Sequence, residues 1–374
     1  MKIVLQRKIF KNNIAIVSKA VAVKSPLPAL TGILIEAKDN NLILTCCNEE
    51  MAIKSVLDNS ISGLNLRIIE EGSLLIDCDH LQKIVGSQDS EDIEIEKIDG
   101  SLVRISCQLS EYKLNGMSVY DFPSISFLEN NTNIFSINSV DLENIIDNIA
   151  FSSSEDKSRL SLTGINMISK NNVLECIATD SYRLSKQVIN LENTNDFNII
   201  IPTTSLRKFR GIANGEEKID FLIENSFLQV NLKNYKIKLN LIDDNFPDTS
   251  RLIPTNFNNV IKVKADNLLK IIERATFINI NKKGIIKLIA KNNEVIVKSN
   301  SQEIGSYNDK LDIISFEGDP MEIAFNGQFL KEAIGPFIDK EVKIEFSGQL
   351  KPFLISSEDK ENVIQLLVPI RTYN

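Results

Sequence analysis

Apolar residues recur at helical spacing in three separate stretches of the chain. In each stretch, side chains three or four positions apart are apolar and would share one face of a helix. They are Phe10, Ile14 and Val17 in the first stretch, Leu142, Ile145, Ile146 and Ile149 in the second, and Leu268, Ile271, Ile272 and Ala275 in the third. Other segments, such as 103–107 and 236–241, alternate apolar and polar residues as half-buried strands do. The pattern predicts an α+β fold whose helices share one face of antiparallel sheets.

A second helix motif occurs three times with nearly constant spacing. Each copy has an apolar triplet, a polar start, a helical turn or two and then a glycine. The copies are 74–86, 199–211 and 323–335, so their final glycines are 125 and 124 residues apart. This period is too long for a solenoid unit and matches the size of a small domain. The sequence therefore predicts three tandem copies of one domain, each with two helices and several antiparallel strands.

Smaller matches occur in the same order in the copies. The segment 30–33 (LTGI) recurs at 162–165, and polar hairpins containing Asn follow at 38–41, 170–172 and 291–293. Asn tolerates the left-handed backbone that tight hairpins need. A Phe-Pro pair recurs at 122–123 and 246–247, and each pair precedes a polar stretch typical of a linker. We therefore expect domains at residues 1–124, 125–250 and 251–374.

Composition places the chain among ordinary globular proteins. Of its 374 residues, 43% are hydrophobic and 25% are charged, and it lacks an apolar run long enough to span a membrane. Five cysteines without a Cys-x-x-Cys spacing argue against a disulfide framework, so we expect a reduced, cytoplasmic protein. The net charge of −8, taken alone, argues against a simple nucleic-acid binder.

Residues for catalysis are scarce. The single histidine, His80, lies at a helix start and is expected to be a surface or capping residue. The sequence has neither a Gly-Lys dipeptide nor a G-x-G-x-x-G, which excludes a P-loop and a dinucleotide fingerprint. Asp77 and Asp79 could be a metal pair, but their counterparts in the other copies are helix-start residues, which favours capping. We therefore expect no catalytic residue, no metal and no cofactor, although an enzyme or ligand binder using clustered carboxylates stays an alternative.

Several motifs resemble one protein family over the whole chain. The segment 178–184 (ATDSYRL) resembles the A-T-D-G-H-R-L of the bacterial DNA polymerase III β subunit, the sliding clamp. Residues 245–254 (NFPDTSRLIP) are similar to its R-F-P-D-Y-x-R-V-L-P, 27–30 to its T-L-P-I-L, and 367–371 (LVPIR) to its V-M-P-M-R. The resemblance implies a chain forming half of a six-domain ring, in which two head-to-tail copies surround duplex DNA.

The same resemblance implies a non-catalytic role in DNA replication. Such a ring tethers the DNA polymerase III catalytic subunit and also binds the clamp loader and other proteins that carry a clamp-binding motif. Sequence-independent contacts with DNA phosphates would come from basic residues on inner helices and a loop. The candidates are Lys8, Lys11, Lys24, Arg207, Lys208 and Arg210. The alternative for any of them is a solvated helix face, and Asp141, Glu143 and Asp147 on the predicted first helix of domain two break the basic trend.

A pocket for partner peptides is implied between the second and third domains. Matching the family position by position gives Leu162, Thr179, Ser181, Tyr182, Arg183, Leu184, Pro247, Arg251, Leu252, Leu366, Val368, Pro369, Ile370 and Arg371. Apolar residues beside arginines suit an anchor peptide. The alternative is that Leu162, Leu184 and Val368 are core residues. Ser181 and Tyr182 replace the Gly and His of the family pattern, and 372–374 extend or replace its terminal leucine, so the peptide preference is open.

Ring closure is implied by two apolar pairs. Tyr112 and Leu114 match an edge-strand position of the family interface, and Phe277 and Ile278 match the facing helix end. Their alternative is ordinary packing within a domain. A further alternative for the whole chain is a clamp-like paralogue that binds partners without being the main replicative clamp.

Overall fold

The computed structural model describes residues 1–108, 110–129, 134–192, 195–213, 217–278 and 284–371. The predicted helix and strand order is present in the first repeat, where each helix directly follows a strand. Its elements are β1 Lys2–Gln6, α1 Arg7–Val17, β2 Gly32–Lys38, β3 Asn41–Cys47, β4 Met51–Leu57, β5 Arg67–Glu70, β6 Gly72–Asp77, α2 Cys78–Ser87, β7 Asp92–Asp99, β8 Leu102–Cys107 and β9 Ser110–Asn115.

The third repeat follows the same order, and the second has one strand fewer before its second helix among the described residues. The second contains β10 Ile134–Asn138, α3 Ser139–Ile149, β11 Gly164–Lys170, β12 Val173–Thr179, β13 Arg183–Asn190, β14 Phe197–Pro202, α4 Thr203–Arg210, β15 Lys218–Ile223, β16 Phe227–Asn231 and β17 Tyr235–Asn240. The third contains β18 Asn259–Lys264, α5 Ala265–Thr276, β19 Ile285–Lys291, β20 Glu294–Ser301, β21 Gly305–Leu311, β22 Ser315–Glu317, β23 Met321–Asn326, α6 Gly327–Ile334, β24 Glu341–Phe346, β25 Phe353–Ser356 and β26 Val363–Leu367.

The apolar helix faces predicted from the sequence are buried in all three repeats. Every residue of the three predicted stripes is at most 5% exposed, as are the inward residues of β8 and β17. The Asn-containing hairpins are also confirmed, because Asn40, Asn171 and Asn172, Asn292 and Asn293 have positive φ angles between 51° and 63°. Period and turn chemistry therefore determined these local structures.

The first compact unit comprises Met1–Ser139 and Lys208–Leu241. It contains a five-stranded sheet in the order β5-β1-β7-β8-β9 and an eight-stranded sheet in the order β10-β15-β16-β17-β4-β3-β2-β6. The larger sheet joins strands of the first two repeats because β17 pairs with β4, with Tyr235 opposite Ser55. A buried polar group pins this seam: Asn13 Oδ1 accepts hydrogen bonds from the hydroxyls of Tyr235 at 2.6 Å and Ser55 at 3.0 Å.

The second compact unit comprises Val140–Arg207 and Ile242–Asn374. It contains a nine-stranded sheet in the order β14-β11-β12-β13-β26-β25-β24-β18-β22 and a four-stranded sheet in the order β21-β20-β19-β23. Here β13 pairs with β26, so strands of the second and third repeats form one sheet. Asn148 pins this seam: its Nδ2 donates to Gln187 Oε1 at 2.9 Å, its Oδ1 accepts from Lys360 Nζ at 2.9 Å, and its carbonyl accepts from Gln365 Nε2 at 2.8 Å.

Candidate partner-binding cleft

A cleft of about 740 Å³ lies beside the turn that joins β12 to β13. It is wholly within the second unit. Among the residues predicted for the partner pocket, Leu162, Ser181, Tyr182 and Arg183 line it. The rest of its lining combines two aromatic rings with charged and polar groups, namely Phe151, Ser153, Ser154, Glu155, Asp156, Ser158, Arg159, Asp180, Arg207, Gln328, Phe329 and Glu332. The structure thus places part of the predicted set at a real concave surface.

Arg183 is held on all sides in this cleft. Its Nε donates to Asp180 Oδ2 at 2.9 Å, and its Nη1 donates to Glu332 Oε2. Its guanidinium carbon lies 4.3 Å from the ring centroid of Phe329 and 5.5 Å from that of Phe151, within cation–π range. The side chain is only 11% exposed. Arg183 therefore organises the cleft wall, rather than presenting a free guanidinium to a ligand.

The turn itself is shaped by Asp180 and Ser181. Asp180 Oδ1 accepts from the backbone N–H groups of Tyr182 at 2.9 Å and Arg183 at 3.0 Å, as Asp does in a side-chain-capped turn. Ser181 has a φ of 78°, a left-handed conformation at the position where the family pattern has Gly. Its hydroxyl accepts from Arg159 Nη1 at 3.1 Å. The turn leaves the Tyr182 ring 65% exposed at the cleft.

The remaining pocket candidates divide into core and surface residues. Thr179, Leu184 and Leu366 are buried, and the two leucines pack with Ile177 and Leu354. Partly buried Phe246, Ile253 and Phe257 cover this cluster. Of the three residues named in the core alternative, Leu162 and Leu184 are buried, whereas Val368 is exposed.

The surface candidates come from the linker and the segment after β26. Pro247, Arg251, Leu252, Val368 and Arg371 are exposed, and Pro369 and Ile370 are half-buried. The backbone fixes the last segment, because Val368 N donates to Tyr182 O at 2.9 Å and Ile370 N donates to Ala324 O at 2.7 Å. The predicted extension 372–374 lies outside the described residues.

Sequence reasoning missed several cleft residues. Phe151, Arg159, Phe329 and Glu332 were not assigned to the pocket, and Arg207 was assigned to DNA. Arg207 lines the cleft, and its Nη2 donates to Ala150 O at 2.9 Å. A basic residue on a short helix carries no sequence signal for the direction in which it points. Asp180 was within the quoted motif, and its spacing from Arg183 could have suggested their ion pair.

The other basic residues predicted to contact DNA differ in their exposure to solvent. Lys8, Lys11, Lys24 and Arg210 are exposed, whereas Lys208 is half-buried. Arg7, which belongs to the same basic segment, is committed to structure: its Nε donates to Ser90 O at 2.7 Å and its Nη1 to Val85 O at 3.1 Å. Partial burial also lowers the pKa of Lys19. Lys8, Lys11, Lys24 and Arg210 are thus more accessible to solvent than Lys208.

The residues predicted for ring closure lie on the edge strand β9 and just after helix α5. Tyr112 and Leu114 are half-buried on β9, the outermost strand of its sheet, and the Tyr112 hydroxyl accepts from Gln88 Nε2 at 2.9 Å. Phe277 directly follows α5 and is 78% exposed, and Ile278 beside it is half-buried. Phe277 thus presents its aromatic ring to solvent.

The capping interpretation of the acidic pair holds for Asp77. Its Oδ1 accepts from the backbone N–H of His80 at 3.0 Å and lies 2.8 Å from Nδ1 of the exposed His80 ring. Asp79 instead pairs with Lys83. Across the described residues, no group of three or more His, Cys, Asp or Glu side chains is arranged to hold a metal ion. In the same residues, no helix is long and apolar enough to cross a membrane.

All five cysteines are free and buried. Burial raises the pKa of each thiol, that of Cys47 to about 11 and that of Cys78 to about 12. A protonated, inaccessible thiol is a poor nucleophile.

Comparison with known proteins gives matches along the chain. The N-terminal, central and C-terminal domains of the DNA polymerase III beta subunit match residues 1–126, 136–248 and 250–371. The chain is 30% identical to the beta sliding clamp of Bacillus subtilis over 379 residues and 29% identical to that of Staphylococcus epidermidis over 377, with full coverage of each chain.

Solved structures agree with the sequence matches. The sliding clamp structure from Bacillus subtilis superposes with a TM-score of 0.93 at 28% identity and covers 100% of both chains. The beta chain from Streptococcus pneumoniae gives 0.94 at 26% identity, covering 99% of this chain and all of the other. The predicted fold of three tandem clamp domains is thereby confirmed, and the family is one of non-catalytic processivity factors. The chain belongs to the DNA polymerase III beta subunit family, the bacterial DNA sliding clamps.

Proposed function

We propose that two copies of this chain close head to tail into a ring around duplex DNA and tether the replicative polymerase to it. The observation that carries the proposal is the pair of seams, β17 with β4 and β13 with β26, which join successive repeats through antiparallel strands. The outermost strands β9 and β21 are the corresponding strands at the two ends of the series. Their pairing between copies would repeat the same seam, and a repeated heterologous contact closes a ring when its rotation allows.

One exposed and three half-buried apolar residues support closure. Phe277 and Ile278 follow α5, and Tyr112 and Leu114 project from β9. Phe277 would become buried when two copies pair, and a buried aromatic anchor typically supplies a large share of the binding free energy at an interface. Analytical ultracentrifugation tests the dimer directly. A wild-type chain that sediments as a monomer at micromolar concentration would contradict the ring.

DNA binding requires that the net charge of −8 be unevenly distributed. Lys8, Lys11 and Lys24 are exposed cations of the first repeat, and Lys8 and Lys11 share one helix. Phosphate contacts of this type carry no sequence preference and weaken with salt. They suit a ring that slides, because they neither select a site nor hold one phosphate tightly. We add Lys208 and Arg210 of the second repeat to the residues proposed to contact DNA. Arg207 is assigned to the cleft instead.

Partner peptides bind in the cleft beside Tyr182. Their source would be the polymerase III catalytic subunit, the clamp loader and other proteins with a clamp-binding motif. In the cleft, exposed Tyr182 offers an apolar contact, and Arg159 and Arg207 offer hydrogen-bond donors. Leu252 and Val368 are further exposed apolar residues outside the cleft lining. Short peptides with leucine and an aromatic anchor suit such a surface.

Fluorescence anisotropy with a labelled Gln-Leu-Ser-Leu-Phe peptide tests the cleft. Tyr182→Ala should weaken binding by roughly tenfold, as loss of an aromatic contact does. Ile338→Ala, a change at another exposed apolar residue, is the matched control and should leave binding unchanged. Absence of saturable binding by folded wild type would contradict the partner-binding part of the proposal. A clamp-like paralogue would bind the peptide yet fail to stimulate the polymerase after incubation with the cognate loader.

A further inference from the structure

One backbone hydrogen bond recurs just beyond the last strand of every repeat. The three bonds are Met117 N to Leu75 O at 2.8 Å, Ile242 N to Ile200 O at 2.9 Å, and Ile370 N to Ala324 O at 2.7 Å. The three acceptors occupy the same place in the repeated helix motif. Met117 is therefore the first-repeat counterpart of Ile370, a residue of the proposed partner pocket.

A groove lies around Met117 in the first unit. It has a volume of about 360 Å³ and is lined by Leu75, Val103, Met117, Tyr120 and Lys97, among others. Val103 faces Leu114 across β8 and β9, just as Leu354 faces Leu366 across β25 and β26. This groove of the first repeat therefore corresponds to the part of the predicted partner pocket that the third repeat supplies.

The third repeat carries the counterpart of the other wall. On its four-stranded sheet a depression of about 560 Å³ is lined by residues that include Lys287, Lys298, Asn300 and Ser306. Strand register gives the correspondence, because Lys291 faces Glu294 at one hairpin and Lys170 faces Val173 at the other. Counting from these pairs, Lys298, Asn300 and Ser306 take the places of Ile177, Thr179 and Leu184.

We propose that closure of the ring joins this depression of one protomer to the Met117 groove of the other, which creates a second peptide site at each junction. The inference rests on the proposed dimeric ring. Within the chain, Leu184 faces Leu366 across the seam of β13 and β26. Pairing of β21 with β9 between copies would set Ser306 near Leu114 in the same way, so neither half alone is complete.

Charge defines the ligand of this junction site. The lining residues of the two halves include Lys97, Lys287 and Lys298 and no Asp or Glu. Lys298 is exposed and faces Lys287 across β19 and β20. Lys287 Nζ pairs with Glu322 Oε1 at 2.9 Å, so Lys298 and Lys97 are the cations that an acidic ligand would meet. The Tyr182 cleft is different, since Glu155, Asp156, Asp180 and Glu332 line it. The junction therefore suits an extended peptide that carries both apolar anchors and acidic side chains.

The test uses the methyl signals of the full-length protein. The chain has five methionines, and Met117 lines the groove while neither the Tyr182 cleft nor the depression contains one. Methionine-methyl NMR spectra, assigned with Met117→Leu, are recorded with acetyl-Asp-Leu-Asp-Leu-Phe-amide and with the matched Asn peptide. The acidic peptide should shift Met117 and bind roughly threefold or more tightly than the Asn peptide, as ion pairs at partly exposed sites allow.

A charge reversal in the other half of the site makes the test specific. Lys298→Glu lies on the third repeat, yet it should abolish the Met117 shift, whereas Lys291→Glu, an exposed residue outside the depression, should not. The junction site would be overturned if the wild-type protein is a dimer and its Met117 signal does not move with the acidic peptide. It would also be overturned if the signal moves equally in wild type and Lys298→Glu. Either result would leave the clamp function intact. Sedimentation of the wild-type chain as a monomer would overturn both the dimeric ring and the junction site. Peptide binding at the Tyr182 cleft is measured independently by the anisotropy experiment.

Discussion

Arg183 donates a hydrogen bond to the carboxylate of Glu332, which lies 149 positions later in the chain. The same guanidinium binds Asp180 in the turn where Arg183 itself lies. One side chain thus connects the start of β13 to α6, and so the second repeat to the third. Since two carboxylates and two aromatic rings surround it, its removal affects the shape of the cleft as well as its charge.

Arg183→Ala should lower the free energy of unfolding by about 3 kcal/mol, because Asp180 and Glu332 lose their shared cation in a mostly buried place. Urea unfolding followed by circular dichroism measures this loss. The matched control is Lys83→Ala, which breaks the exposed Asp79 pair and should cost far less stability because water screens that pair. Equal losses in the two variants would contradict the structural role of Arg183.

The Ser181→Gly variant of the protein should be more stable to unfolding than the Ser181→Ala variant. The left-handed φ of 78° penalises any residue with a Cβ, by about 1 kcal/mol relative to glycine. Ser181→Gly and Ser181→Ala both remove the hydroxyl that accepts from Arg159, so their difference isolates the backbone effect. Thermal unfolding of the pair gives that difference, and an alanine variant as stable as the glycine variant would contradict it.

Phe277→Ala combined with Ile278→Ala should weaken dimerisation by a factor of roughly 30 or more, because truncation of an aromatic anchor typically costs about 2 kcal/mol. Sedimentation equilibrium across a concentration series measures the dimer dissociation constant. Ile314→Ala changes another exposed apolar residue of the same repeat and serves as the control. Unchanged dimer affinity in the double variant would mean that this surface lies outside the interface.

The combined change of Lys8, Lys11 and Lys24 to Ala should reduce the salt dependence of DNA retention. Each lost phosphate contact lowers the slope of log K against log salt by about 0.9. The measurement is retention of loaded protein on circular DNA over a salt series. Lys38→Ala, which removes a lysine paired with Asp39, is the control and should leave the slope unchanged.

The thiols should resist modification in the native protein at pH 8. Their raised pKa values keep them protonated at that pH, and burial denies access to the reagent. Titration with a chromogenic disulfide reagent should detect no rapidly reacting thiol in the folded chain and all five in denaturant. A fast-reacting thiol in the native protein would show that local opening exposes one of the cysteines.

The sequence predicted those features that depend on local pattern. The stripe Leu268, Ile271, Ile272 and Ala275 gave the buried face of α5, and paired Asn residues gave the hairpins. What it could not give depends on contacts between distant segments. The spacing of apolar residues does not indicate that β17 pairs with β4. The sequence of residues 203–210 likewise does not indicate that Arg207 lines a cleft. The family motif contains both Asp180 and Arg183, but the resemblance did not show that Asp180 and the distant Glu332 both bind the Arg183 guanidinium.

The seams have a consequence for how this chain can be divided. The second repeat gives β10, β15, β16 and β17 to one sheet and β11 to β14 to another, so its two halves belong to different compact units. Excision of any single repeat would uncover strand edges and the buried polar groups of Asn13 or Asn148. Such fragments are aggregation-prone. Swapping segments between relatives should therefore succeed with breakpoints after residues 139, 207 and 241, which respect the sheets, and fail with breakpoints at the ends of the repeats.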